Sequence, residues 1–138
     1  TAGIIAGDHG LQPEPEARLR EIDLGDWDGK TFSEIRASQP EAFEQRGRNL
    51  AGFRPPGGES FADLQARVMP ALASILAQAT GNVAVIGHAG VNRAALCHWL
   101  GLPLSSLFQL GQDPGCLNIL EFTFWTFKRA RALNLTLE

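Results

Sequence analysis

The chain has 138 residues, of which 44% are hydrophobic and 20% are charged, and its formal net charge at pH 7 is -3. This length and composition are typical of one globular domain with an apolar core, which we place over residues 1–138. The slight negative charge, without a cluster of Lys and Arg, argues against nucleic acid or an anionic membrane as the main partner, and no apolar stretch is long enough to span a bilayer. Cys97 and Cys116 form no disulfide framework, and Cys97 lies in an apolar helical pattern, so we expect a buried thiol in a reducing, cytoplasmic compartment.

Five segments have the apolar spacing or the terminal residues of helices: 1–9, 31–38, 40–49, 61–78 and 91–102. Gly10 and Gly101 stand where glycine commonly ends a helix. Thr31 and Glu34 have the spacing of a capping box, and Ser60 suits the N-cap of the longest helix. The sequence therefore predicts a largely helical framework.

Three further segments predict strands. Residues 82–87 (NVAVIG) form a continuous apolar run, which is typical of a parallel strand buried on both faces. Residues 116–125 and 131–138 have strand composition, with a connection expected near 127–130. Because helices alternate with strands, the predicted class is α/β.

His88 directly follows the predicted strand, in the order Gly87-His88-Ala89-Gly90, and a predicted helix begins after it. Ligands of open α/β sheets bind beyond the carboxyl ends of strands, and a helix N-terminus presents free N–H groups and a positive dipole end. An imidazole here can donate a hydrogen bond to a phosphoryl oxygen, and small neighbours let the anion approach. A histidine that only caps the helix fits this position equally well.

Other sites with glycine or histidine signatures fit less well. The 87–92 loop lacks two of the three glycines of a dinucleotide fingerprint, and it has no serine for a nucleophile elbow. His98, ten residues beyond His88, does not complete a set of zinc ligands, and no metal is predicted. Residues 25–31 (GDWDGKT) have too few residues between their glycines for a Walker loop, so a turn is favoured over a nucleotide site.

Glu21 lies among apolar residues, between Leu19 and Ile22 and near Trp27. An apolar setting favours the protonated carboxyl and suits it to donate a proton near neutral pH. From composition alone, a surface glutamate in a salt bridge is the better interpretation.

Three segments together resemble the histidine phosphatase, or phosphoglycerate-mutase-like, superfamily: Leu19–Ile35, Pro55–Val68 and Asn82–Pro103. The resemblance covers nearly the whole chain. It implies a three-layer α/β/α fold and transfer of a phosphoryl group through a phosphohistidine, with no cofactor and no metal. The short stretch between Gly29 and Pro55 resembles compact members such as the α-ribazole phosphatases.

The resemblance also implies roles for individual residues. His88 resembles the family's second histidine, which is catalytic and binds the phosphoryl oxygens, with Ala89 beside it in the phosphate-binding loop. Glu21 resembles the catalytic acid that protonates the leaving oxygen. Trp27 resembles a packing residue near the site, and Glu59 resembles a loop-ordering residue, structural and not catalytic.

One departure from the family is that the sequence has no Arg-His-Gly motif, which carries the attacking histidine. Asp8-His9-Gly10 is a poor substitute, since no strand precedes it and an aspartate would oppose a phosphate dianion. The chain resembles the family from its first or second helix onward. We therefore expect a truncated fold that lacks the opening central strand beside Val83–Ile86, and self-association through exposed sheet edges.

Two functions remain open. The first is a cytoplasmic phosphatase acting on a small phosphorylated metabolite, with this chain lacking the nucleophile and inactive alone. The second is a non-catalytic module that keeps an anion pocket for binding or assembly. The sequence does not name the substrate.

Overall fold

The computed structural model describes residues 1–136, and within them all five predicted helices are present. The helices and strands are α1 (Ala2–Asp8), α2 (Phe32–Ser38), α3 (Pro40–Arg48), α4 (Phe61–Gln78), α5 (Ala89–Leu100), β1 (Leu117–Thr123) and β2 (Thr126–Leu135). Short 3-10 turns lie at Ala17–Leu19, Gly25–Trp27 and Leu104–Gln109. No helix within the described residues is long and apolar enough to cross a membrane. The last two residues of the predicted strand 131–138 lie outside the described residues.

Capping residues set the helix boundaries where the sequence predicted them. The Ser60 hydroxyl accepts a hydrogen bond from the Asp63 N–H at 3.1 Å, and the Asp63 carboxylate accepts one from the Ser60 N–H at 3.0 Å. Thr31 and Glu34 form the same reciprocal box at the start of α2. Each box satisfies N–H groups that have no partner inside the helix, so these sequence signals fix where α2 and α4 begin.

The core lies between α4 and α5. One face of each helix buries small and branched apolar side chains: Phe61, Leu64, Val68, Ala71, Leu72, Val91, Ala94, Ala95 and Cys97. Cys97 is fully buried, and this burial raises the pKa of its thiol. The prediction of a buried thiol in the last helix is confirmed.

The strand predicted over 82–87 is wrong in this structure. The segment forms no ladder with any part of residues 1–136, and Val83, Val85 and Ile86 are 45%, 44% and 43% exposed. A strand needs a hydrogen-bonded neighbour and a cover on each apolar face. The described residues provide neither a neighbouring strand nor such a cover for residues 82–87, although the composition of this segment is that of a buried strand.

The described sheet consists of β1 and β2, which pair antiparallel with Leu117 opposite Leu135. The turn lies at Phe124 and Trp125, which both have positive φ (47° and 65°), and not near 127–130 as predicted. Residues of this type seldom adopt a left-handed conformation, so the sequence carries no turn signal here. Trp99 of α5 packs against Phe122 of β1 at a ring distance of 5.0 Å and so attaches the hairpin to the helices.

We expect the 138-residue chain to self-associate, because an extended run with exposed apolar side chains is a template for another strand. Size-exclusion chromatography with light scattering should show a dimer or a larger species. Val85→Lys should shift the distribution toward monomer, since lysine discourages edge pairing. Leu102→Lys, at a position that is 39% exposed and outside the run, should not. A monodisperse monomer of the unsubstituted chain would contradict this expectation.

Candidate active site at the start of helix α5

His88 is the N-cap residue of α5. Its backbone is extended (φ -119°, ψ 161°), its carbonyl accepts from the Asn92 N–H at 2.9 Å, and its side chain makes no capping hydrogen bond. The residue is exposed, whereas Ala89 is half-buried and Gly90 is buried. The alternative that the imidazole serves to cap the helix therefore has no support in the geometry. The ring is accessible to a ligand at the positive end of the helix dipole.

Glu21 lies against the same helix end, 69 residues away from Gly90 in the sequence. One carboxylate oxygen accepts from the Gly90 N–H at 3.0 Å, and the other accepts from the Ile22 N–H at 3.0 Å. A Cβ added at Gly90 would lie 2.4 Å from the Glu21 carboxylate, so only glycine admits this contact without a shift. The structure thus brings the predicted acid to the loop that carries His88 and Ala89, whose chemical roles stay predictions.

Glu59 orders the loop that leads from Glu21. Its carboxylate accepts from the Asp23 N–H at 3.1 Å and from Arg67 at 2.7 and 2.8 Å. The hydrogen bond from Arg67 is the main cause that lowers the pKa of Glu59. The Glu59 N–H in turn donates to the Asp23 carbonyl at 2.7 Å. These contacts hold Glu59 in a hydrogen-bonded network with Asp23 and Arg67, and its role, structural or catalytic, stays a prediction.

Sequence reasoning missed Arg67, whose guanidinium bonds to the same loop. It donates to the backbone carbonyls of Arg18 at 2.7 Å, Arg20 at 3.0 Å and Glu21 at 3.0 Å, besides the Glu59 carboxylate. A signal was available, because Arg67 directly precedes the buried Val68 on α4 and lies eight residues after Glu59. Its other partners, however, are backbone carbonyls far away in the sequence, and the spacing of residues does not reveal such contacts.

The turn over 25–31 is packed against the loop at 55–58. The Asp26 N–H donates to the Pro56 carbonyl at 2.9 Å, and a Cβ on Gly25, which has a φ of 54°, would lie 2.3 Å from the same oxygen. Trp27 is 1% exposed, and its indole N–H donates to the Gln39 side chain at 3.0 Å. The segment forms a turn, as predicted, and Trp27 is buried at its centre. The expected role of Trp27 as a packing residue near the site stays a prediction.

A second missed group anchors the first turn of α5 to the hairpin. Gln112 is 8% exposed, and its side-chain oxygen accepts from Asn92 at 3.0 Å and from Asn118 at 2.8 Å. A buried amide held on both sides fixes its neighbours because an unpaired polar group in that place would be unfavourable. Helix α5 is therefore held at the end where His88 lies.

The other two histidines lie elsewhere. His9 follows α1, a helix without buried residues, and so comes after a helix and not after a strand, as the sequence indicated. His98 is exposed on α5, ten residues and about 15 Å along the axis from His88. Within residues 1–136, no three His, Cys, Asp or Glu side chains are grouped so that they could hold a metal ion.

Comparison with known proteins gives matches over most of the chain. The sequence profile described as histidine phosphatase superfamily (branch 1) matches residues 1–134. Glucosyl-3-phosphoglycerate phosphatase of Mycolicibacterium vanbaalenii is 34% identical over 117 residues, which cover 78% of this chain and 52% of that protein. 6-phosphofructo-2-kinase 1 of Saccharomyces cerevisiae is 35% identical over 105 residues, which cover 75% of this chain and 13% of that protein. The chain thus spans about half of the first relative and a small part of the second.

Solved structures show the same likeness. A mycobacterial glucosyl-3-phosphoglycerate phosphatase superposes with a TM-score of 0.82 at 29% identity, covering 99% of this chain and 72% of the other. The α-ribazole phosphatase of Shigella flexneri gives a TM-score of 0.84 at 22% identity, covering 97% and 66%. At that identity the second likeness shows the fold alone. Together these matches confirm the predicted α/β, phosphoglycerate-mutase-like fold.

Proposed function

The chain belongs to the histidine phosphatase superfamily, and from this premise we propose that it carries the phosphoryl-binding and proton-donating part of a phosphomonoester phosphatase. The observation that supports this most directly is the bond from the Gly90 N–H to the Glu21 carboxylate, two residues from the exposed His88. An acid and an imidazole beside one helix N-terminus can act on two oxygens of the same phosphate ester.

His88 would hold the phosphoryl oxygens. Its N–H donates to an oxygen whose negative charge grows as the phosphoryl group moves, and Ala89 stands in the first helical turn, where N–H groups lack a helical acceptor. Fixed donors of this kind are effective because they need no reorganisation during the reaction. The Gly90 N–H already binds Glu21, so it fixes the acid and not the phosphate.

Glu21 would move the proton. In the first step a histidine attacks phosphorus, the bond from phosphorus to the ester oxygen breaks, and the protonated carboxyl gives its proton to the leaving oxygen. In the second step the carboxylate takes a proton from water as the water attacks the phosphohistidine, which releases phosphate and restores both groups. Proton transfer of this kind is typically worth about 10²–10⁴ in rate.

Neither His88 nor His98 supplies the attacking histidine of this scheme. His88 is assigned to binding, and His98 is about 15 Å further along α5. His9, at the end of a surface helix, has an aspartate where the family has its arginine. We therefore propose that residues 1–138 alone do not hydrolyse phosphate esters, and that the attacking histidine belongs to an Arg-His-Gly segment outside them.

The substrate is proposed to be a small phosphorylated metabolite, since the relatives include a glucosyl-3-phosphoglycerate phosphatase. The compartment is proposed to be the reducing cytoplasm, because Cys97 is buried as a free thiol and Cys116 is also free.

Hydrolysis of p-nitrophenyl phosphate tests the proposal. We expect no turnover from the 138-residue chain and clear turnover from the longest form of the protein that the reading frame encodes, provided that this form contains Arg-His-Gly. Turnover by the 138-residue chain that is lost on His9→Ala would overturn the assignment of the nucleophile. If the longest form binds inorganic phosphate through His88 but hydrolyses nothing, the non-catalytic anion-binding module is the better description.

A further inference from the structure

One guanidinium, that of Arg67, joins three stretches of chain around the candidate site. Its three nitrogens make five hydrogen bonds: two to the Glu59 carboxylate and three to the carbonyls of Arg18, Arg20 and Glu21, over distances of 2.7 to 3.0 Å. Helix α4 thereby holds both the loop before the site, at 18–21, and the loop at its own start.

Because the Arg67 guanidinium is largely buried, its charge and its N–H groups need partners inside the protein. The side chains of Arg67 and Glu59 are each only 18% exposed, and a charge in that setting is unfavourable unless it is paired and hydrogen-bonded. The hydrogen bond to Glu59 raises the pKa of Arg67. The planar fork of a guanidinium can serve a carboxylate and several carbonyls at once, whereas the single ammonium of lysine cannot.

Two different helices bind the backbone and the side chain of Glu21. Arg67, on α4, binds the Glu21 carbonyl, and Gly90, on α5, binds the Glu21 carboxylate. The position of the Glu21 backbone determines where its carboxylate meets the α5 N-terminus. A small displacement of the loop would therefore break the bond at 3.0 Å between Glu21 and the Gly90 N–H.

We propose that Arg67 is a positioning residue that fixes the 18–21 backbone so that Glu21 is presented at the N-terminus of α5. The consequence for proton transfer rests on the function proposed above. The placement of Glu21 itself does not, and it can be measured without any turnover.

The Gly90 amide gives a direct readout. It lies in the first turn of α5, where it has no helical acceptor, so its protection from hydrogen exchange reports its bond to Glu21. In the ¹⁵N-labelled 138-residue chain, Gly90 exchange should accelerate in Glu21→Ala, which removes the acceptor of its hydrogen bond. In Arg67→Met we expect Gly90 exchange to accelerate about tenfold or more. The Ile22 amide, bonded to the other Glu21 oxygen, should follow it.

Arg54→Met is the matched control. Arg54 also pairs with a carboxylate at the start of α4, that of Asp63, at 2.5 and 2.6 Å, but within the described residues it makes no hydrogen bond to the 18–21 carbonyls. Its removal should leave Gly90 exchange unchanged. Core amides of α4 and α5, such as those of Val68 and Ala94, report global opening in every variant.

The proposal is overturned if Arg67→Met is folded and Gly90 exchanges as in the unsubstituted chain. It is equally overturned if Gly90 and the core amides accelerate by the same factor, because Arg67 would then only stabilise the fold. If Arg67→Met does not fold, Arg67→Lys is used to test the proposal instead. We expect it to raise Gly90 exchange severalfold more than core exchange, and equal factors would again overturn the proposal. Failure of the phosphatase assay would leave all of these outcomes unaffected.

Discussion

Replacing His88 with alanine should lower phosphatase turnover by about 10²–10³, as the loss of one fixed donor to a developing oxyanion does elsewhere. The experiment uses the longest form of the protein that hydrolyses p-nitrophenyl phosphate. His88 is exposed and its side chain does not support the helix, so the substitution should leave the free energy of unfolding nearly unchanged. We expect the loss mainly in kcat, because the negative charge that His88 binds increases on the way to the transition state.

His98→Ala is the matched control for that result. It removes an exposed imidazole from the same helix, about 15 Å away from the proposed phosphoryl site, and should leave turnover close to that of the unsubstituted protein. A His88→Ala variant with near-normal turnover would remove His88 from the proposed mechanism. A loss of the same size in His98→Ala would point to a defect of α5 as a whole.

The parts of this fold that the sequence predicts well are local. Ser60, Thr31 and Pro40 act within one helical turn, so their chemistry determines a boundary whatever surrounds it. Gly101 ends α5 in a left-handed conformation (φ 68°) for the same kind of reason. Helix bounds could therefore be predicted closely.

The parts that the sequence predicts poorly depend on distant partners. Residues 82–87 have the composition of a buried strand, but a strand is defined by its neighbours, and residues 1–136 provide none. The hairpin turn falls on Phe124 and Trp125, whose identities argue against it. The register of a hairpin depends on the hydrophobic pattern of both strands as well as on the turn. Register is a property of two segments at once and could not be read from either.

The residues of the candidate site also differ in whether their sequence signals are local. His88 was found because its signal is a strand end, a small-residue loop and a helix start, all within a few residues. Glu21 was found only through the resemblance, since its neighbours alone favoured a surface residue. Arg67 and Gln112 were missed, because what they bind is set by the tertiary fold.

Gly90→Ala should separate activity from stability. A Cβ at this position would lie 2.4 Å from one Glu21 oxygen, and that oxygen is the end of a flexible side chain that can move away. We expect the free energy of unfolding to change little, because the helix propensity gained over glycine, up to about 1 kcal/mol, is offset by the hydrogen bonds that the displaced Glu21 carboxylate loses. Turnover should nevertheless fall by about tenfold to a hundredfold, because the displaced carboxyl no longer lies where it can protonate the leaving oxygen. Urea unfolding and p-nitrophenyl phosphate kinetics on the longest active form measure the two effects.

Gly47→Ala is the control that isolates the cause. Gly47 lies inside α3, and a Cβ there would meet no atom within 4 Å, so this variant gains helix propensity without touching the site. Its turnover should match that of the unsubstituted protein, and its stability should rise by up to about 1 kcal/mol. If Gly90→Ala keeps full turnover, the contact between Glu21 and the start of α5 does not place the acid. If the turnover of Gly90→Ala falls together with its stability, the substitution has disturbed the core, and the loss of turnover is not attributed to the position of Glu21. A loss of turnover in a variant at least as stable as the unsubstituted protein can come only from the few atoms around Gly90, among which the Glu21 carboxylate is the nearest.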